Sequence, residues 1–171
     1  MASFSTALAW TLDNWEDPSH EYKKAPDAPP GAFAIAGVNS AAWPEDFFAI
    51  STFPQNERAA PVAAFYSKHF WTNWLSQVAS DEVAKRVFDA GVNMGSGTAA
   101  KLIQAAVNAC GGSVAVDGQL GPGSLAAVNG CDPVALVTAF KKQRSDHYRR
   151  IVALNPANEK YLAGWLERAQ A

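Results

Sequence analysis

The sequence predicts a mainly α protein. Apolar residues recur at helical spacing over most of the chain, cap and stop residues punctuate those runs, and the 171-residue length with 49% hydrophobic residues suffices for a buried core. In the first run Phe4, Leu8, Leu12 and Trp15 fall on one helical face, with Ser3 or Ser5 able to cap it. Pro18 stops it, because a residue before proline, here Asp17, is pushed out of the helical region. From Pro18 to about Pro44 the pattern dissolves into a long loop with room for a short irregular hairpin, marked by Pro26, Pro29, Pro30, Gly31 and Gly37. Loops this long inside a small domain are more often functional than idle.

Helical spacing resumes near Ala59 with Val62, Phe65, Tyr66, His69, Phe70 and Trp74. Ser80 caps a segment bearing Val83, Val87 and Phe88. After a break around Gly95, a regular amphipathic helix carries Ala99, Leu102, Ile103, Ala106, Val107 and Cys110, ended by Gly111-Gly112. Asp132-Pro133 reads as an N-cap followed by proline at the first helical position, opening a long helix that ends near Asn155-Pro156. A last helix carries Tyr161, Leu162, Trp165 and Leu166. Asp117-Gly118 reads as a turn pair, with Gly121 supplying an unusual backbone angle and Pro122 starting a short helix.

Lys and Arg total 14 against 16 Asp and Glu, a net charge of −2, which argues against a nucleic-acid surface. There is no apolar run of about 20 residues that could span a membrane, and the N-terminus lacks the basic region of a signal peptide. The expectation is synthesis in the cytoplasm, with any work outside reached through lysis or a dedicated export machine. Cys110 and Cys131 are either two buried thiols or a disulfide.

Among the carboxylates, Glu16 stands out by position, following Trp15 at the last turn of the first helix. A helix C-terminus carries partial negative charge and an adjacent indole excludes water, and both disfavour an ionised carboxylate. A carboxyl that keeps its proton can give it to a leaving oxygen. The alternative is an ordinary exposed helix-end glutamate. Asp17, Glu21 and Asp27 are candidates for a second carboxylate, or are solvated loop charges. His20, His69 and His147 show no metal-binding spacing, so no metal site is expected, and His69 reads as a core or boundary histidine. Amide cleavage by a peptidase finds neither a Cys–His–Asp arrangement nor a zinc motif.

Several motifs resemble glycoside hydrolase family 108, the phage-endolysin-like N-acetylmuramidases, with their C-terminal predicted peptidoglycan domain. Phe88-Asp89 through Val92-Asn93 and Gly95 resembles the family's FDxxVNxG, Asp117-Gly118 through Gly121-Pro122 its DGxxGPxT, and Gly164-Trp165-Leu166 with Arg168 its GWLxR. In the N-terminal half, Glu16 stands where the family's EGGY glutamate falls, Pro30-Gly31 and Gly37-Val38-Asn39 resemble altered remnants of the loop with DPxDPGG and GIT that follows it, and Tyr66 with Phe70-Trp71 resembles the aromatic helix. Asp17-Pro18 replaces the two glycines after the glutamate, and the loop to Gly31 is longer than in the family.

The resemblance implies a lysozyme-like fold of two helical lobes in one compact unit, a catalytic lobe over residues 1–78 and a peptidoglycan-domain-like lobe over 79–171. It implies hydrolysis of the β-1,4 bond between N-acetylmuramic acid and N-acetylglucosamine with Glu16 as general acid and no cofactor. Tyr22, Trp43, Tyr66 and Trp71 become candidates for stacking on sugars, each also an ordinary core candidate. Peptidoglycan glycan strands are the implied partner of a monomer, with neither nucleic acid nor membrane involved. The rival is a catalytically silent wall-binding module of the same fold.

Overall fold

The computed structural model describes residues 1–171, which form nine α-helices and one three-stranded sheet. The chain divides into two units, an N-terminal unit of Phe4–Trp71 and a C-terminal unit of Thr72–Ala171 joined by Met1–Ser3.

In the N-terminal unit, α1 spans Phe4–Thr11 and buries Ala7, Leu8 and Thr11. The single long helix expected from the apolar spacing changes character here, because Leu12–Glu16 is a π turn closed by Asp17 N–H donating to Leu12 O at 3.0 Å. Asp17 then leaves the helix at φ −157° and ψ 66°, as a residue before proline must. The expected hairpin is a small antiparallel sheet of β1 (Lys24–Asp27), β2 (Ala32–Ile35) and β3 (Val38–Asn39), in the order β1-β2-β3. Lys24 faces Ile35 in register, and Ile35 faces Val38. Ala36 and Gly37, at φ 46° and 78°, make the two-residue turn between β2 and β3, the conformation that suits a twisted hairpin.

Helix α2 (Pro44–Ser51) was not apparent from the sequence pattern, since Phe47 and Ile50 alone are buried and Pro44 occupies its first position. Helix α3 (Ala59–Phe70) buries Val62, Phe65 and Tyr66, and together with Ile35, Val38 and Leu12 these make the unit's core.

The C-terminal unit contains α4 (Asn73–Ser76), α5 (Asp81–Met94), α6 (Ser96–Ala109), α7 (Pro122–Gly130), α8 (Pro133–Leu154) and α9 (Glu159–Gln170). Ser80 Oγ accepts from Val83 N–H and Asp132 Oδ1 from Ala135 N–H at 2.8 Å, so both expected caps form. Helices α5, α6 and α8 pack on one another around Phe88, Ile103, Val107, Leu136 and Phe140, and α9 lies on α8.

Polar motif residues sit inside this unit. Asp89 is fully buried between two guanidinium groups, Arg144 Nη1 at 2.8 Å and Arg168 Nη2 at 2.7 Å. Arg144 Nε donates to the Tyr148 hydroxyl at 3.2 Å, which in turn donates to Asn93 Oδ1 at 2.5 Å. Burial pushes the Tyr148 phenol up despite the neighbouring Arg144, keeping it a donor. Trp165 stacks on Tyr148 with centroids 5.2 Å apart.

The Asp-Gly turn is fastened by Gln104, whose Nε2 donates to Asp117 Oδ1 at 2.8 Å and whose Oε1 accepts from Gly118 N–H at 2.9 Å. Positive φ falls on Gly118 (+81°) and not on Gly121, whose φ of −97° is open to any residue. Both cysteines are free and half-buried. No single helix is long and apolar enough to cross a membrane.

Candidate functional site

A π turn holds one more residue per hydrogen-bonded ring than an α turn, so it redirects the side chains that end the helix. Here it sets the half-buried Glu16 against the β2–β3 turn. A Cβ built on Gly37 would collide with Glu16 Oε2 and come within 2.5 Å of the Tyr66 hydroxyl oxygen. The glutamate carboxyl and the tyrosine hydroxyl therefore both lie over the bare Cα of Gly37. That glycine meets two demands at once, a φ of +78° and the absence of a side chain. Tyr66 O–H donates to Ala36 O at 2.8 Å, pinning the turn from α3.

The loop after Glu16 is strapped in place. Asp17 accepts from Tyr22 N–H at 2.9 Å and from Ser19 Oγ at 3.3 Å. Arg58 Nη1 donates to Tyr22 O at 3.0 Å, and Gln55 Nε2 donates to Glu21 O at 2.8 Å. His20 and Tyr22 adopt positive φ, 52° and 48°, a conformation that costs a non-glycine residue about 1–2 kcal/mol and that these ties sustain. Burial, then the Asp17 and Asp13 carboxylates, hold the Tyr22 phenol above its ordinary range, so it remains a proton-bearing donor.

The candidates for a second carboxylate are engaged locally. Asp17 holds the loop, and Asp27 accepts from Ala28 N–H and from Asn39 Nδ2, each at 2.8 Å. Glu21 pairs with Lys23 at 2.5 Å. Asn39 extends the brace, its Oδ1 accepting from Ala41 N–H at 2.7 Å.

The four aromatic candidates separate by environment. Tyr66 is 1% exposed, so its ring offers no face to a sugar, and its hydroxyl is the part that lies over Gly37 alongside the Glu16 carboxyl. Trp43 is half-buried in an aromatic cluster, with its centroid 4.4 Å from that of His69 and 5.3 Å from that of Phe65. Phe65 in turn lies edge-on to Tyr66 at 5.2 Å, so Trp43 and the Glu16 neighbourhood share one packed cluster. Trp71 is half-buried against Phe4 at 5.6 Å. His69 Nε2 meets Asp46 Oδ2 at 3.0 Å, as befits a boundary histidine.

Sequence reasoning placed Glu16 and Tyr66 in the site but missed two contributors. Gly37 was read as a loop glycine within a motif remnant, and Arg58 was not singled out at all. A glycine inside a motif otherwise altered was the available signal for the first. No local pattern marks Arg58, whose partner Tyr22 lies 36 residues away.

Two family models match the chain. Residues 98–170 match the family described as Predicted Peptidoglycan domain, and residues 21–95 match Glycosyl hydrolase 108. These are the two families that the chain's own motifs resemble. These matches support peptidoglycan hydrolase activity, with peptidoglycan as the substrate. The hydrolase match begins at Glu21, beyond Glu16.

Among solved structures, SagA of Brucella abortus shares the fold, with a TM-score of 0.68 and 18% identity over 98% of this chain and 89% of that one. No curated protein matches the sequence.

Proposed function

We propose that the chain is an N-acetylmuramidase in which Glu16 protonates the glycosidic oxygen linking N-acetylmuramic acid to N-acetylglucosamine. The observation that carries this reading is the seat of the Glu16 carboxyl over the side-chain-free Cα of Gly37, beside the Tyr66 hydroxyl. A general acid must be held within reach of the leaving oxygen and aimed at it. The π turn, the pinned β2–β3 turn and the Arg58 strap supply that rigidity from three directions.

Proton transfer from Glu16 to the bridging oxygen lets the C–O bond break, so that the N-acetylglucosamine leaves with that oxygen as its hydroxyl; water supplies the new hydroxyl at the anomeric carbon of the muramic acid, and its remaining proton restores Glu16 through solvent. Trp43 and Trp71 are the half-buried aromatic surfaces suited to a sugar's C–H face, while Tyr22 offers its phenol as a hydrogen-bond donor. Tyr66 acts as a positioning residue through Ala36.

Glu16→Gln removes the proton and keeps the shape. The expected result is a loss of about 10²–10⁴-fold in release of reducing ends from purified walls. Mass spectrometry of the wild-type fragments must show muramic acid at the new reducing ends. Equal digestion by the Gln variant removes Glu16 from the mechanism. Wild-type protein that binds walls and releases no fragments is instead the silent wall-binding module, a reading favoured by Asp17-Pro18 standing in place of two glycines.

A further inference from the structure

The C-terminal unit carries a cavity of about 420 Å³ between α6, α8 and the loop before α7. Lys101 and Leu102 line it from α6, Gln143, His147 and Arg150 from α8, and Val116 from the loop. Residues 143, 147 and 150 follow the i, i+4, i+7 spacing of one helix face, so three polar side chains converge by helical geometry.

No acidic residue lines this cavity, although the whole chain has net charge −2. Nearby carboxylates are tied elsewhere. Asp146 pairs with Lys142 at 2.5 Å and with Arg149 at 3.4 Å, and Asp117, which feels the Lys101 charge, is anchored on Gln119 N–H and Gln104. Val116 is 48% exposed at the rim, and Leu102 lies buried behind it. Burial, reinforced by Arg150, holds the His147 imidazole below its ordinary value. A neutral imidazole has one donor and one acceptor nitrogen, a match for a peptide amide.

Cations beside a small apolar wall and an amide-matching pair suit a carboxylate next to a short apolar side chain. The volume lies within the range of small-ligand pockets, about 300–1,000 Å³. In peptidoglycan that chemistry belongs to the stem peptides, with their free carboxylates and alanine methyls. The glycan strand, whose lactyl carboxyl is consumed in the amide to the peptide, lacks it.

We propose that this cavity is a stem-peptide subsite, in which Lys101 and Arg150 hold a carboxylate, Gln143 and His147 meet the adjacent amide, and Val116 receives a methyl group. The proposal rests on peptidoglycan as the substrate and is independent of Glu16.

The test titrates the full chain with a synthetic stem peptide bearing a free terminal carboxylate, with its C-terminal amide, and with inorganic phosphate, following the His147 ring signals by NMR. The free-carboxylate peptide should shift those signals and bind about tenfold or more tighter than the amide, the scale of a charge-assisted hydrogen bond. The double variant Lys101→Gln, Arg150→Gln changes exposed side chains, should unfold at the wild-type temperature, and should lose that preference. Equal binding of acid and amide overturns the proposal, as does an unchanged preference in the double variant. Phosphate shifting His147 where the peptide does not assigns the cavity to a phosphate-bearing polymer and also overturns it. Wall digestion measured alongside separates the two failures, since peptide binding without new reducing ends sinks the muramidase reading alone.

Discussion

In the C-terminal unit the motif acid Asp89 is wholly enclosed and gripped by two arginines, whereas in the N-terminal unit Glu16 lies half-buried at a helix end over a bare Cα. Both residues belong to motifs of the family resemblance, so a motif acid alone says nothing about its job. Asp89, with every approach closed, can only fasten α5 to α8 and α9. The Glu16 carboxyl, with the Tyr66 hydroxyl, fills the room left by the absent side chain of Gly37. Enclosing charged partners mark Asp89 as a structural acid, and the role proposed for Glu16 rests on the glycine kept bare beside its carboxyl.

The strongest way to break that contrast is Asp89→Asn, which leaves the Arg144 and Arg168 charges buried without their counter-ion. Losing one partner of a buried pair typically costs about 3–5 kcal/mol, so urea unfolding should show the C-terminal unit destabilised by that amount. A loss under about 1 kcal/mol, the size of an exposed pair's contribution, would mean that Asp89 is not the fastener described.

Gly37→Ala sharpens the other side of the contrast. Its backbone penalty, about 1–2 kcal/mol at φ +78°, is shared by Gly31→Ala at φ +91°, where a Cβ meets nothing within 4 Å. Both variants bear that backbone cost, Gly37→Ala is destabilised further by the collision of its methyl with Glu16 and Tyr66, and wall digestion should fall in the Gly37 variant alone, because that methyl displaces the Glu16 carboxyl. Parallel losses of activity would show that the space above Gly37 is not what matters.

Tyr66→Phe is the mildest probe. It removes the donor to Ala36 O and should cost about 1 kcal/mol in thermal or urea unfolding, with a fall in digestion smaller than that of the Gly37 variant. Full activity would deny Tyr66 its positioning role.

Periodicity and punctuation made most helices legible. The regular stripe from Ala99 to Cys110, the Ser80 and Asp132 caps and the glycine stop after α6 all report interactions within one or two turns. What escaped was set by distant partners or by subtler backbone choices. Asp89 and Arg168 are 79 residues apart, so both motifs could be seen while their ion pair could not. The apolar spacing of Phe4, Leu8 and Leu12 fits an α or a π ending equally, and the choice falls to the Asp17-Pro18 boundary. The sequence assigns the unusual angle to Gly121, whereas the positive φ falls on Gly118 of the Asp-Gly pair, where a Cβ would come within 3.3 Å of Lys101 and 3.4 Å of Gly97 O. In the site, the position of Glu16 was legible, but the 21-residue reach to Gly37 needed a folded hairpin.

The widened turn at Leu12–Glu16 carries an evolutionary corollary. Excising one residue from it would restore the tighter ladder and swing the terminal carboxyl about 100° around the axis. Under the role proposed for Glu16, a single codon would thus switch cutting off or on while leaving the acid in the gene, so descendants of this scaffold would drift between cutting and merely holding the wall without any change at the glutamate itself.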